Sequence, residues 1–185
     1  NEETRYYLNG IYFHAVENSQ SGALFRAVAT DGHRMARAEI AAPPGATGMS
    51  GIIVPKKTVG EVQKLLDGVD GDVHVEVSDT KIRFTVGPVV LLSKLIEGTF
   101  PDYDRVTPKN NDKQMIVDKQ SFAVAVDRVS TIASDRGGKA VKLSANNGLL
   151  DLSVTNPDHG TASEEVAVEF ETDGFEIGFN ARYLL

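Results

Sequence analysis

The sequence predicts an α+β protein in which a unit of one strand, one helix and three further strands occurs twice. Short segments with alternating apolar and polar residues, typical of strands, occur along much of the chain. Two segments carry apolar residues at the helical period, and each directly follows a short apolar strand. The tetrapeptides I-V-P-K and I-V-D-K begin 63 residues apart, at Ile53 and Ile116, which indicates an internal repeat.

Before the first repeat, the pattern predicts a strand followed by a hairpin. The strands are predicted over residues 7–16, 24–30 and 35–40. The first of them contains an Asn9-Gly10 turn. Asp31-Gly32 lies between the other two, and an Asp-Gly dipeptide flanked by alternating residues is a strong hairpin signal. A loop rich in proline, glycine and alanine follows over residues 41–51.

Each repeat begins with a strand that leads into a helix. In the first repeat, Pro55 suits the first turn of a helix that ends at Asp67-Gly68. In the second repeat, Asp118 is expected to cap the helix within residues 115–134. The strands that follow are predicted over residues 73–77, 81–86 and 89–95 in the first repeat and 140–145, 149–155 and 164–170 in the second.

A stretch rich in proline, aspartate, asparagine and lysine separates the two repeats and is typical of an interdomain linker. We therefore expect one domain over residues 1–104, a linker over residues 105–111 and a second domain over residues 112–185.

The composition excludes several classes of function. The chain has 185 residues and no cysteine, which excludes disulfides, thiol catalysis and cysteine-type zinc sites. No apolar run is long enough to span a membrane and no signal segment precedes the first strand, so we expect a cytoplasmic protein with no membrane partner. The net charge of −7 argues against a protein that simply adheres to nucleic acid.

The basic residues nevertheless concentrate on the two predicted helices, opposite their apolar faces. They are Lys56, Lys57 and Lys64 on the first helix and Lys119 and Arg128 on the second. This pattern fits a local basic surface on an acidic chain. Ordinary solvated helix faces explain it equally well.

The stretch V-A-T-D-G-H-R-M-A, residues 28–36, places Asp31, His33 and Arg34 close together. Catalysis needs a nucleophile or metal beside a general base, yet the chain has no H-x-x-H, H-E-x-x-H or G-x-S-x-G pattern. The G-x-x-x-x-G-K-[ST] motif of nucleotide-binding loops is also absent. A polar turn accounts for the stretch, and we expect no cofactor or metal. An enzyme that uses Asp31 and His33 for hydrolysis or phosphoryl transfer is the alternative.

Five stretches, in order along the chain, resemble the bacterial sliding-clamp family of DNA polymerase III beta subunits. They are R-Y-Y-L-N-G (5–10), V-A-T-D-G-H-R-M-A (28–36), I-I-V-P-K-K (52–57), S-K-L-I-E-G-T-F-P-D-Y-D-R-V-T-P (93–108) and E-I-G-F-N-A-R-Y-L-L (176–185). The resemblance implies a DNA clamp fold with antiparallel sheets outside and helices lining a central hole. It also implies most of a middle domain, without its N-terminal part, and a third domain without its C-terminal part.

The resemblance further implies three sets of site residues. A peptide-binding cleft would be lined by Leu8, Thr30, Gly32, His33, Arg34, Met35, Pro101, Arg105 and Val106. The DNA-facing set would be Arg5, Tyr6, Tyr7, Lys56, Lys57, Lys64, Lys119 and Arg128. Ile132 would lie at the subunit interface, with an ordinary core position as the alternative. Met35 stands where family members usually have leucine, which keeps the pocket apolar. Without the resemblance, Arg5 to Tyr7 would be interpreted as the start of a strand with one tyrosine buried.

The function implied by this resemblance is that of a processivity factor without catalytic activity. Two subunits would form a homodimeric ring around duplex DNA, without reading its sequence. The ring would tether the catalytic subunit of the replicative polymerase, and the clamp loader, other polymerases and repair proteins would dock through short linear motifs. A clamp-fold paralogue or adaptor that binds partner peptides without a housekeeping replication role is the alternative.

Overall fold

The computed structural model describes residues 4–18, 22–133, 139–171 and 174–185. The chain forms two compact units, Asn1–Asp104 and Arg105–Leu185. Each unit combines antiparallel sheet with helix, as the α+β prediction requires. The predicted linker, residues 105–111, lies at the start of the second unit, and its role as a linker stays a prediction.

The first unit contains a short 3-10 helix, Tyr6–Leu8, followed by four strands, an α-helix and three further strands. These elements are β1 (Gly10–Asn18), β2 (Gly22–Thr30), β3 (Met35–Ala41), β4 (Ile52–Pro55), α1 (Lys56–Leu66), β5 (His74–Val77), β6 (Lys81–Val86) and β7 (Val89–Lys94). A four-stranded antiparallel sheet has the order β3-β2-β1-β4, and a three-stranded antiparallel sheet has the order β5-β6-β7. The predicted hairpin is confirmed. Pro55 ends β4 and is the N-cap of α1, so it lies one residue before the first helical turn in which it was predicted.

The start of β1 differs from the sequence-based expectation. The prediction of a strand at residues 7–9 is wrong, because the amides of Leu8 and Asn9 close 3-10 turns onto the carbonyls of Arg5 and Tyr6, at 2.9 and 3.0 Å. The strand begins at Gly10, where a Cβ would lie 2.4 Å from the carbonyl oxygen of Val54. Only glycine permits this approach of the two backbones.

Strand β4 is hydrogen-bonded on both of its edges. It pairs with β1, with Ile53 opposite Tyr12. On its other edge, the carbonyl of Ile53 accepts a hydrogen bond of 2.9 Å from the amide of Ile96, which follows β7. Ile53 and Val54 are buried. β4 is therefore hydrogen-bonded both to a strand of the four-stranded sheet and to the chain that follows the three-stranded sheet.

The second unit repeats the order of strand, helix and three strands. Its elements are β8 (Ile116–Val117), α2 (Lys119–Ser130), β9 (Ala140–Asn146), β10 (Leu149–Asn156), β11 (Gly160–Glu169), β12 (Phe175–Asn180) and α3 (Ala181–Leu184). The strands form one antiparallel sheet with the order β12-β9-β10-β11-β8. The inner face of α2, with Val126 and Val129, packs against a core that contains Leu150 and Leu152. The predicted repeat is confirmed.

Two helices of the second unit begin at a residue whose side chain caps the first turn. The carboxylate of Asp118 accepts a hydrogen bond of 2.8 Å from the amide of Ser121, so the predicted N-cap is confirmed. Asn180 caps α3 in the same way, accepting from the amide of Arg182 at 3.0 Å. The sequence-based reading did not predict β12 or α3. No helix in the described ranges is long and apolar enough to cross a membrane.

Candidate functional site

The hairpin between β2 and β3 holds residues 31–34 in a turn that its own side chains organise. Thr30 pairs with Met35 at the base of the turn. The Thr30 hydroxyl donates to the carbonyl of Arg34 at 2.8 Å and accepts from the amide of Gly32 at 3.0 Å. Oδ1 of Asp31 accepts from the amides of His33 and Arg34, at 3.0 and 2.9 Å. Such side-chain bonds to the local backbone fix a turn conformation.

The carboxylate of Asp31 stabilises this turn. The amides of Arg34 and His33, aided by the Arg34 guanidinium, lower the pKa of Asp31 to about 2. The guanidinium Nε lies 3.2 Å from Oδ2 of Asp31. A general base works best with a pKa near the operating pH, so Asp31 is poorly suited to that role. No group of His, Asp or Glu side chains within the described ranges could hold a metal ion.

Gly32 occupies a backbone conformation that other residues rarely adopt, with φ of +85°. A Cβ at this position would lie 2.7 Å from Nη1 of Arg5. The Arg5 side chain, which the family resemblance assigns to the DNA-facing set, therefore lies against the turn. It adds a guanidinium beside Gly32 on the exposed end of the hairpin.

An apolar cluster lies at the base of the turn. Its buried members are Val28, Ile53, Phe100 and Tyr103, and the partly buried residues packed against them are Tyr7, Leu8, Tyr12, Met35 and Ile96. We call this the Phe100 cluster. Leu8 and Met35, two predicted cleft residues distant in sequence, are thus brought to one apolar surface. Both keep part of their side chains accessible, as an apolar peptide pocket requires.

The segment of residues 100–104 carries Pro101, another predicted cleft residue. Phe100 and Tyr103 on either side of it are 7% and 6% exposed, whereas Pro101 itself is exposed. The ring of Phe100 stacks on Tyr12 of β1 with centroids 4.8 Å apart. Two buried aromatic anchors therefore present Pro101 at the surface.

Tyr103 is held by polar contacts as well. Its hydroxyl accepts a hydrogen bond of 2.6 Å from the guanidinium of Arg26, and it lies 2.9 Å from Nε2 of His14. Sequence reasoning missed these anchoring residues. Phe100 and Tyr103 lie in the stretch of residues 93–108 that resembles the family, but nothing local pointed to His14 or Arg26.

The two remaining predicted cleft residues lie at the start of the second unit. Arg105 ends the short 3-10 helix Tyr103–Arg105, and Val106 follows with 75% of its surface exposed. Their part in the cleft stays a prediction.

The residues predicted to face DNA lie mostly at helix ends. Lys56 and Lys57 form the first turn of α1, and Lys119 begins α2; all are exposed. Lys64 pairs with a glutamate one turn earlier at 3.1 Å, and Arg128 pairs with a glutamate of β11 at 3.3 Å.

The other predicted site residues are placed as follows. Tyr6 is 51% exposed, whereas Tyr7 packs on the Phe100 cluster, so one of the two tyrosines is largely withdrawn from solvent. Ile132 is partly buried against the core of the second unit. Its carbonyl accepts a hydrogen bond of 2.7 Å from Asn156. The roles of these residues toward DNA or a second subunit stay predictions.

Comparison with known proteins identifies the family. A family model described as the central domain of the DNA polymerase III beta subunit matches residues 1–102, and one described as its C-terminal domain matches residues 104–185. The chain belongs to the DNA polymerase III beta subunit family. Curated relatives of this beta subunit chain include the beta sliding clamp of Caulobacter vibrioides, 50% identical over 184 residues, and that of Escherichia coli K12, 38% identical over 189 residues. Each alignment covers 100% of this chain and 49% or 48% of the relative.

Solved beta subunit structures confirm the clamp fold. A DnaN sliding clamp from Bartonella birtlesii, bound to griselimycin, is 56% identical with a TM-score of 0.93. A sliding clamp from Pseudomonas aeruginosa is 37% identical with a TM-score of 0.90. Both comparisons cover 100% of this chain and 49% of the other. This beta subunit chain thus spans about half the length of the relatives it matches.

Proposed function

We propose that this chain belongs to a sliding clamp that serves as a processivity factor for DNA replication. Two copies of the complete subunit encircle duplex DNA as a ring, without catalytic activity, and tether the catalytic subunit of the replicative polymerase in the cytoplasm. The observation that carries the proposal is that models of two beta subunit domains match the two structural units in succession. The clamp loader, other polymerases and repair proteins use the same docking cleft.

The first unit supports a cleft for short peptides. The Phe100 cluster supplies apolar surface through Leu8 and Met35, and methionine adapts readily to different side chains. The rigid turn places His33 and Arg34 beside this surface, where they bind peptide carbonyl or amide groups. Pro101 forms a further wall of the proposed cleft. The proposed cleft residues also include Arg105 and Val106.

The helices support contact with DNA phosphates. The first turn of α1 contains Lys56 and Lys57 and no acidic residue, whereas at α2 the Asp118 carboxylate caps the helix beside Lys119. Helix N-termini ordinarily favour acidic side chains, because the helix dipole is positive there. Lysines at this end add to the dipole and strengthen attraction for a phosphate rather than stabilise the helix. Contacts of this kind hold DNA without reading its sequence.

The second unit supports association with another subunit. Residues 160–167 of β11 pair with β10 on one edge, and within the described ranges no strand pairs with their other edge. Open strand edges pair readily with a strand from another chain. Ile132, which is partly buried against the core of the second unit, contributes apolar surface to the proposed interface.

Retention on DNA tests the ring. The full-length protein is loaded onto nicked circular plasmid, and half of each sample is then linearised. A ring stays on circles and slides off linear ends, so we expect retention only on circular DNA. Equal retention on both forms would refute the ring topology.

Peptide binding tests the cleft. Fluorescence polarisation of a labelled Q-L-x-L-F peptide is measured with the full-length protein, with His33→Ala and with His74→Ala as control. His74 is exposed on β5, outside the Phe100 cluster. We expect His33→Ala to weaken binding about fivefold, the value of one hydrogen bond, and His74→Ala to leave it unchanged. No binding by the unaltered protein at tens of micromolar peptide would refute the cleft assignment.

A further inference from the structure

Arg37 on β3 lies next to the proposed cleft. In the strand register it is directly opposite Val28, which is itself opposite Tyr12. Val28 is fully buried in the Phe100 cluster, and Tyr12 packs against that cluster. Because side chains two residues apart on a strand point to the same face, Arg37 shares this face with Met35. Arg37 therefore borders the apolar surface to which the cleft residue Met35 belongs.

The nearest carboxylate to Arg37 is held mainly by another arginine. Nε of Arg37 lies 3.7 Å from Oε1 of Glu39, which is too long for a hydrogen bond. The same oxygen accepts a hydrogen bond of 2.5 Å from Nε of Arg26, whose side chain is only 12% exposed. Asp104 also faces Arg26, 4.0 Å from its Nη1. The acidic residues of this network thus serve the more buried of the two arginines.

The guanidinium of Arg37 keeps its hydrogen-bond donors available. An arginine side chain has several N–H donors in a planar fork, and the fork matches the two oxygens of a carboxylate. Within the described ranges, the guanidinium of Arg37 donates no hydrogen bond to another residue. The Arg37 side chain is 42% exposed, so a ligand reaches it from solvent. A cation with available donors beside an apolar surface fits a ligand that combines apolar side chains with a carboxylate.

We propose that Arg37 is a specificity-determining residue of the peptide cleft and favours partner motifs in which an acidic residue flanks the apolar residues. This inference rests on the proposed function. Met35 and the Phe100 cluster contact the apolar side chains, and Arg37, two residues further along β3, binds the carboxylate. An ion pair at the surface selects among partners more than it sets overall affinity. The net charge of −7 otherwise disfavours acidic segments, so the preference depends on this local cation.

A double-mutant cycle in the full-length protein tests the proposal. Fluorescence polarisation is measured with labelled Q-L-x-L-F peptides that carry aspartate or asparagine before the motif, and with a second pair that carries them after it. The ratio of the asparagine to the aspartate dissociation constant measures the acidic preference. In at least one pair, Arg37→Gln should lower this ratio about threefold, the value of one exposed ion pair. Arg83→Gln, which removes the same charge from β6, should leave the ratio unchanged.

Charge reversal should give the converse result. Arg37→Glu should prefer lysine to aspartate at the same flank, and both preferences should shrink at about 1 M salt, where surface charges are screened. Equal ratios in the unaltered protein and in Arg37→Gln for both peptide pairs would overturn the proposal and leave the cleft intact. If Arg37→Gln instead lowers affinity for duplex DNA with unchanged ratios, the guanidinium serves phosphate and the proposal fails. If the unaltered protein binds none of the peptides, the proposed function fails and this inference fails with it.

Discussion

Replacing Gly32 with alanine separates the backbone requirement of the turn from its contact with Arg5. The φ of +85° costs a residue with a Cβ about 1–2 kcal/mol, because the side chain crowds the following carbonyl. Alanine recovers about 0.4–1 kcal/mol by restricting the unfolded chain. We therefore expect Gly32→Ala to lower the free energy of unfolding by about 1 kcal/mol.

The contact adds a second effect. The new Cβ would lie 2.7 Å from Nη1 of Arg5, so the guanidinium must leave the turn. This is the far end of a flexible side chain, and its movement costs little stability. It changes the exposed surface beside His33, however. We expect Gly32→Ala to weaken binding of the labelled Q-L-x-L-F peptide about fivefold, as loss of one polar contact would do.

Gly45→Ala is the matched control. Gly45 has φ of +83° and no atom within 4 Å of the position of a Cβ. Urea unfolding should therefore show the same loss for both variants, whereas only Gly32→Ala should weaken peptide binding. The reasoning is refuted if the two variants weaken binding equally, or if Gly32→Ala is as stable as the unaltered protein.

Three further outcomes are expected. Since the turn lowers the pKa of Asp31 from its usual 3.8 to about 2, its contribution to stability is complete above 3.8 and is lost as the pH falls through about 2. NMR titration of its carboxyl group should show that midpoint, and a midpoint at 3.8 would contradict the turn geometry. Leu152→Ala removes a fully buried side chain and should lower the free energy of urea unfolding by about 3 kcal/mol; a loss below about 1 kcal/mol would contradict its place in the core. Lys57→Gln should reduce the slope of log affinity for duplex DNA against log salt by about 1, whereas Lys81→Gln on β6 should not; equal slopes for both variants would contradict the DNA-facing assignment.

Local rules predicted much of the secondary structure. Asp31-Gly32 predicted the β2–β3 hairpin, and Asp118 predicted the start of α2, because turns and helix caps depend on neighbouring residues. The alternation of Phe175, Ile177 and Phe179 also carried the signal for β12, and the interpretation overlooked it. The alternation spans only the six residues of β12, so the pattern is short.

Long-range contacts account for what the sequence did not reveal. The strand start at Gly10 depends on the approach of Val54 from β4, which no local pattern expresses. The partners of Tyr103 are 89 and 77 residues away, at His14 and Arg26. The motif that contains Tyr103 was visible in the sequence. Its anchoring to the sheet depends on the tertiary structure alone.

The position of β4 has a consequence for how the first unit opens to solvent. Its residues pair with β1, and the carbonyl of Ile53 also receives the amide that follows β7. Detachment of β4 must break both sets of bonds and expose Ile53 and Val54 together. Opening motions follow such cooperative groups of hydrogen bonds. The amides that β4 shares with β1 should therefore exchange with deuterium more slowly than those of the edge strand β3, and both sheets should lose protection in a single event.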